Sequence, residues 1–224
     1  MGAIQLALGR VIDSESSKQP EILDFTASRG LRAPGKRLFD LIGALLLLAI
    51  FGPLLVAIAT AIAATQSGPV IFRQQRVGAG GQLFWLYKFR TMHHAPQAAF
   101  CQATPNDPRV TGFGVFLRHT SLDELPQLFN VIRGEMSLVG PRPHAPETAI
   151  GSLRFADALG RYQARERVRP GITGLAQIRG QRGPTPTLAT LEQRLASDLE
   201  YIERRSLRLD LSILVRSVPA LFGR

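Results

Sequence analysis

The sequence predicts an α+β fold: a mostly helical, membrane-associated domain with one small β-hairpin and amphipathic interfacial helices. Three observations carry this. An apolar run of 24 residues without a charge, Leu41 to Ala64, is long enough for a membrane helix. Two strand-like runs flank the turn Gly78-Ala79-Gly80-Gly81. Apolar residues recur at helical spacing near the C-terminus, most clearly from Leu188 to Arg204, where Leu191, Leu195, Leu199 and Ile202 share a face.

In chain order, residues 1–30 are mixed and polar and predict an N-terminal arm. Residues 31–65 form the membrane segment. As one straight helix the run would extend ~36 Å, enough for a ~30 Å hydrocarbon core. Gly52-Pro53 interrupts it, and a proline there removes a helix hydrogen bond, so a kink is expected. Two topologies fit: a tilted single span, or a re-entrant helix-break-helix that enters and leaves on one face. Arg29, Arg32, Lys36 and Arg37 precede the run, and Arg73, Arg76, Lys88 and Arg90 follow it. Basic residues mark the cytoplasmic side; with both flanks basic, charge favours the re-entrant form. Asp40 reads as an interfacial acid paired with Lys36 or Arg37. A signal peptide does not fit a run much longer than ~7–15 residues that begins this far into the chain.

Residues 66–224 make up the remaining domain. Gly68-Pro69 ends the membrane helix. Val70 to Val77 and Leu83 to Phe89 predict the hairpin; the glycine cluster between them is not GxGxxG and reads as a turn. Residues 93–108 read as a loop. Helices are expected over Gly112 to His119 and Leu122 to Ile132, the second ended by Gly134. After the basic stretch Tyr162 to Arg169, Pro170 to Gly174 reads as a turn and Leu175 to Ile178 as a short strand. Leu207 to Phe222 carries Arg208, Asp210 and Arg216, which suits an interfacial or core-packed helix better than a second span.

The 224 residues suffice for one core plus an anchor. Lys and Arg outnumber Asp and Glu by 27 to 17, a net charge of +10 that calls for anionic partners: head groups, nucleotide phosphates or nucleic acid. The single cysteine, Cys101, excludes an internal disulfide and fits a reducing compartment. The four histidines, His93, His94, His119 and His144, lack zinc-ligand spacing.

The segment Ser121-Leu122-Asp123-Glu124 concentrates the chemistry. Ser-x-x-Glu ahead of an apolar helix is a capping box, with Ser121 capping and Glu124 reaching back. Pattern alone favours that reading. The functional reading uses the same geometry. A helix N-terminus suits phosphate and keeps a carboxylate ionised, an ionised aspartate can attack phosphorus, and a second carboxylate can hold Mg²⁺ against a diphosphate. Arg118 and Arg142 supply guanidinium groups for phosphate oxygens, and Pro141 and Pro143 stiffen the backbone around Arg142.

These motifs combine with Lys36-Arg37-Leu38-Phe39-Asp40, Gly68-Pro69-Val70-Ile71-Phe72, Gln75-Arg76-Val77-Gly78, Lys88-Phe89-Arg90-Thr91-Met92, Asp107-Pro108-Arg109-Val110-Thr111, Gly134 to Pro143 and Arg169-Pro170-Gly171-Ile172-Thr173-Gly174. In that order the chain resembles the bacterial sugar transferases, the monotopic polyprenyl-phosphate hexose-1-phosphate transferases (phosphoglycosyl transferases). The resemblance runs from Lys36 to Leu214, leaves out the N-terminal arm, and looks like the short, catalytic-core form.

The resemblance implies a re-entrant membrane helix broken at Gly52-Pro53 and a cytosolic catalytic domain at the inner-membrane interface. It implies a two-step reaction in which Asp123 attacks a UDP-sugar, UMP leaves, and polyprenyl phosphate takes the sugar phosphate from a phosphosugar–aspartyl intermediate, initiating glycoconjugate or exopolysaccharide assembly. Glu124 matches the Mg²⁺ residue, Arg118 and Arg142 match phosphate-holding residues, and Lys88 and Arg90 match a basic motif contacting phosphates or head groups. Its partners are a UDP-sugar, polyprenyl phosphate and membrane lipid, with no nucleic acid; pairing as a homodimer is left open. The family break is often Ser-Pro rather than Gly-Pro, and its aromatics are missing at Leu175 and in the C-terminal segment. Two alternatives stand beside this reading: a membrane-anchored nucleic-acid binder using Arg161, Arg165, Arg167 and Arg169, and a non-catalytic scaffold of the same fold.

Overall fold

Helix α1 spans Pro34–Thr65 in a computed structural model of the chain, which describes residues 34–93, 104 and 107–222. The N-terminal arm, Arg29, Arg32, His94, Cys101 and most of the 93–108 loop lie outside the described residues. Proline at the first helical position costs nothing, because that N–H has no intrahelical partner. The helix is assigned without interruption through Gly52 and Pro53. Among the described residues, this helix alone is long and apolar enough to cross a membrane.

One stripe of α1 packs on the globular part along both of its halves. Ala44, Leu47 and Leu48 join one core with Leu128, Val131 and Leu138. Leu55, Ile58 and Ile62 join a second with Phe89 and Leu117. Burying one such aliphatic side chain contributes about 1.5–3 kcal/mol. The opposite stripe, including Ile42, Leu46, Ile50 and Val56, is exposed. Gly43 permits close approach: a Cβ there would sit 2.6 Å from Leu138 Cδ1.

Strands β1 (Ile71–Val77) and β2 (Leu83–Phe89) form the expected antiparallel hairpin, with Ile71 opposite Phe89 and Val77 opposite Leu83. Its turn needs positive φ at Gly80 and Gly81. Helix α2 spans Gly112–His119, as expected, and Thr111 caps it by accepting from the Gly114 N–H at 2.9 Å.

The predicted helix from Leu122 to Ile132 is instead two pieces. A 3₁₀ turn covers Leu122–Glu124, and helix α3 covers Gln127–Arg133, closed by Gly134 at φ 83°. The capping box is not formed. Ser121 sits in the left-handed region at φ 56° and makes no capping hydrogen bond. Pro126 divides the two pieces, since its ring cannot continue the preceding turn's hydrogen bonding.

Strand β3 (Ser137–Val139) is followed by the small antiparallel pair β4 (Ala149–Ile150) and β5 (Leu153–Arg154), by helix α4 (Phe155–Ala158) and by a 3₁₀ segment, Tyr162–Arg167. Strand β6 (Gly171–Thr173) pairs parallel with β3 where the sequence reads as a turn. Glycine makes this approach possible: a Cβ on Gly171 would lie 2.0 Å from the Gly140 nitrogen, and one on Gly174 2.3 Å from the Gly140 oxygen. Residues Leu175–Ile178 are helical (α5) rather than extended; Leu, Ala and Gln are good helix formers.

Helix α6 (Leu188–Arg204) starts at a Thr187–Thr190 capping box and buries Leu191, Leu195, Asp198 and Tyr201. Helix α7 (Leu207–Phe222) buries Asp210 and Ile213 and exposes Leu207, Leu211, Val215 and Val218. It is thus core-packed on one face and apolar toward solvent on the other.

The base of α1 is fastened to this end of the chain. Lys36 Nζ lies 2.9 Å from Asp40 and 3.0 Å from Asp210. Ser137 Oγ and the Leu138 N–H donate to Asp40, and Tyr201 Oη lies 2.8 Å from Asp210. Asp40 therefore pairs with Lys36 as expected, but it is almost fully buried rather than interfacial.

Candidate active site

Asp123 and Glu124 leave the 3₁₀ turn in different environments. Glu124 is clamped. Lys88 Nζ donates to Oε1 at 2.8 Å, and Arg142 grips both oxygens, Nη2 to Oε1 at 2.5 Å and Nη1 to Oε2 at 3.1 Å. Burial resists ionisation of Glu124, but Arg142 and Lys88 together outweigh it and hold the carboxyl well below its usual range. Asp123 is 7% exposed. Its carboxylate has no hydrogen-bond partner among the described residues, and Lys88 approaches only to 3.9 Å. Burial raises its pKa, with Glu124 adding to the rise and Lys88, Arg142 and Arg118 opposing it. The expected N-terminal field that would keep Asp123 ionised is thus not dominant; desolvation is.

Each cation is positioned by a separate element. Lys88 lies on β2, which α3 holds through Asn130: its Oδ1 accepts from the Tyr87 N–H at 3.1 Å, and its Nδ2 donates to the Trp85 carbonyl at 2.7 Å. Arg118, in the last turn of α2, donates from Nε to Thr91 Oγ1 at 2.8 Å. Arg90 is not gathered at the acidic pair. It is buried at the end of α1, where Nη2 donates to the Gln66 carbonyl at 3.3 Å, while Nε and Nη1 have no hydrogen-bond partner among the described residues.

Arg142 sits in a loop whose backbone is held at four successive carbonyls. Pro141 accepts from the Gly171 N–H (2.9 Å), Arg142 from Arg165 Nη2 (2.6 Å), Pro143 from Arg76 Nη1 (3.4 Å) and His144 from the Val77 N–H (3.0 Å). Pro141 and Pro143 are buried in this clamp. Arg165 is in turn fixed by Asp198 at 2.7 Å, a buried pair between the 3₁₀ segment and α6. Sequence reasoning missed Arg76, Asn130, Arg165 and Asp198. A signal existed for the last: Arg194 and Asp198 fall on the apolar stripe of α6, where a charge needs a partner. Of the basic run considered for nucleic acid, Arg165 is buried in this pair and Arg169 Nε donates to the Gly134 carbonyl at 2.7 Å. The run is therefore not one exposed stripe.

Among the described residues no group of three or more His, Cys, Asp and Glu gathers to hold a metal. Two adjacent carboxylates, one without hydrogen bonds among the described residues, fit the way Mg²⁺ is usually held, by one or two carboxylates together with substrate phosphates and water.

A buried carboxylate pair walled by cations, beside a long apolar helix compatible with membrane association, makes a site suited to anionic, phosphate-bearing ligands. A family model described as Bacterial sugar transferase matches residues 31–224, and the chain belongs to that family. It is 50% identical over 190 residues to a UDP-glucose:undecaprenyl-phosphate glucose-1-phosphate transferase of Caulobacter vibrioides, covering 83% of this chain and 69% of that protein. A protein of the same description from Xanthomonas campestris pv. campestris is 47% identical, with 84% of this chain and 39% of that protein covered. The exopolysaccharide production protein PSS of Rhizobium leguminosarum bv. phaseoli is 42% identical, covering 82% of this chain and 92% of that protein. The chain thus spans well under half of the Xanthomonas relative and nearly all of the rhizobial one.

Proposed function

We propose that this protein transfers glucose 1-phosphate from UDP-glucose to undecaprenyl phosphate and so initiates exopolysaccharide assembly, with a covalent phosphosugar–aspartyl intermediate on Asp123. The observation that carries the reading is the division of labour in the acidic pair. Glu124 accepts three hydrogen bonds from Lys88 and Arg142, whereas Asp123 accepts none among the described residues and meets Lys88 only at 3.9 Å. The names of the relatives supply the sugar and the acceptor.

In the first step an Asp123 oxygen attacks the β-phosphorus. A phosphorus–carboxylate bond forms, the bond to the bridging oxygen breaks, and UMP leaves with that electron pair. In the second, an oxygen of the lipid phosphate attacks the same phosphorus and the Asp123 carboxylate is released. Lys88, Arg118 and Arg142 hold the phosphate oxygens and offset their charge. Mg²⁺, held by Glu124 with Asp123 adjacent, would neutralise diphosphate charge when bound.

The packing of both halves of α1 on one globular body supports the re-entrant reading. A helix whose two ends rest on the same domain keeps both on one side of the bilayer. The site then lies at the cytoplasmic face of the bacterial inner membrane, where a nucleotide sugar and a lipid phosphate can meet.

The test is UMP release across a UDP-sugar panel with undecaprenyl phosphate. Release is expected with UDP-glucose, to stop on chelation of Mg²⁺, and to fall roughly a thousandfold or more in Asp123→Asn. Normal turnover by that variant would refute the nucleophile.

A further inference from the structure

A cavity of about 200 Å³ adjoins the acidic pair, and Arg142 is common to both: it lines the cavity and grips Glu124. Its walls include Pro143, His144, Phe155 and Tyr162. The His144 and Phe155 rings meet edge-on at 5.1 Å, and His144 stacks on Tyr162 at 6.2 Å. Pockets for drug-sized ligands run about 300–1,000 Å³. This one is smaller and suits a single ring; Arg142, Arg154, Arg165 and Glu166 line it beside the aromatic and proline walls.

Among these groups, the state of His144 is set by the donors around it. Arg165 Nη1 lies 2.7 Å from His144 Nδ1 and 2.8 Å from Tyr162 Oη. Tyr162 Oη also contacts His144 Nδ1. A guanidinium can only donate. It therefore donates to the Tyr162 oxygen and to Nδ1, and the one phenol proton is directed at Nδ1 as well. With two donors aimed at it, Nδ1 must carry the lone pair, and the ring's single proton lies on Nε2. Burial, then Arg165, Arg194, Arg76 and Arg142, keep the imidazole neutral by holding its pKa well below the usual 6.5. Nε2 has no hydrogen-bond partner among the described residues.

We infer that His144, locked as the Nε2–H tautomer by Arg165 and Tyr162, is a specificity-determining donor that reads an acceptor oxygen on one ring of the nucleotide-sugar substrate seated in this cavity. This rests on the reaction proposed above. The chemistry is shared by a hexose hydroxyl and a uracil carbonyl, and both belong to the same substrate.

The test has a spectroscopic and a kinetic arm. Nitrogen chemical shifts of labelled protein in detergent, with the His144 signal identified by its loss in His144→Ala, are expected to show a neutral Nε2–H ring unchanged from pH 5.5 to 8. A protonated ring, or a proton on Nδ1, would overturn the inference. Kinetically, His144→Ala is expected to raise KM for the UDP-sugar about three- to tenfold, the loss of one hydrogen bond, with kcat within about twofold. His144→Gln, whose amide reaches the Nε2 position, is expected to restore most of the loss and serves if the alanine variant fails to fold. Inhibition by UMP separates the two rings: unchanged inhibition places the hexose in the cavity, and equally weakened inhibition places the uracil. Wild-type KM and UMP inhibition in both variants would overturn the subsite. Should wild-type protein release no UMP from any UDP-sugar, the proposed reaction falls; equilibrium binding of UDP-sugar to Asp123→Asn protein, with and without His144→Ala, then decides the subsite separately.

Discussion

Replacing Glu124 by Gln removes the anion that Lys88 and Arg142 share. Arg142 then loses this partner and Lys88 keeps only Asp123 at 3.9 Å, and a destabilisation of about 2–3 kcal/mol is expected at neutral pH, measurable by denaturation in detergent. Asp123 predicts the opposite sign. Its pKa is raised chiefly by burial, so the ionised form works against folding, and Asp123→Asn is expected to melt at or above the wild-type temperature while losing turnover. His144 adds a pH dependence. It is held neutral in the fold, whereas the unfolded chain takes up a proton below about pH 6.5. Its contribution is therefore complete above that pH and declines as pH falls, at a limiting slope of about 1.4 kcal/mol per pH unit. His144→Gln should flatten the acid limb of a stability–pH curve. At this scale the sequence was informative where the chemistry is local: Asp123, Glu124 and Arg118 lie within one short segment. Of the His144–Arg165–Asp198 chain only Asp198 left a sign, as a charge on an apolar stripe; its partners were not legible, because they come from distant segments and each reads alone as an ordinary polar residue.

The clamp on residues 141–144 shows what single elements contribute. Four carbonyls are held by three segments, β6, the 3₁₀ segment and β1, so the backbone that carries Arg142 is fixed before its side chain reaches Glu124. Asp198→Asn leaves Arg165 buried without its counter-ion; a loss of about 3–5 kcal/mol is expected, along with a fall in kcat of about tenfold as Arg142 loses its aim. A variant as stable and as active as wild type would remove Asp198 from this role. Helices α2 and α6 begin and end where the sequence placed them. Strand β6 and helix α5 do not, for a physical reason. A three-residue parallel strand takes its identity from a partner far away in sequence, and a four-residue helix is too short to show a period. The glycines at 140, 171 and 174 were the available sign, marking backbones in contact rather than a turn. Ser121 failed differently. Its pattern matches a capping box, but Pro126 breaks the helix that it would have capped.

For the molecule as a whole, the re-entrant reading makes a direct prediction. With Cys101 replaced by Ser, single cysteines at Gly35 and Arg73, both exposed, should react with a membrane-impermeant reagent from the same face; opposite faces would establish a span. The net charge of +10 suggested a surface field, yet much of it is used internally. Arg37 donates to the Val131 and Ile132 carbonyls at the end of α3, and Arg165 is buried. Composition counts charges but cannot say which of them face water. The contact of Lys36 with both Asp40 and Asp210 has a consequence in time. Ribosomes lengthen a chain by about 5–20 residues per second, so helix α1 emerges on the order of ten seconds before the residue that completes its base. Until Asp210 is made, Lys36 and Asp40 form only half of their joint. Formation of α1 and its docking are therefore separate events, and helix α7 is the latch that closes α1.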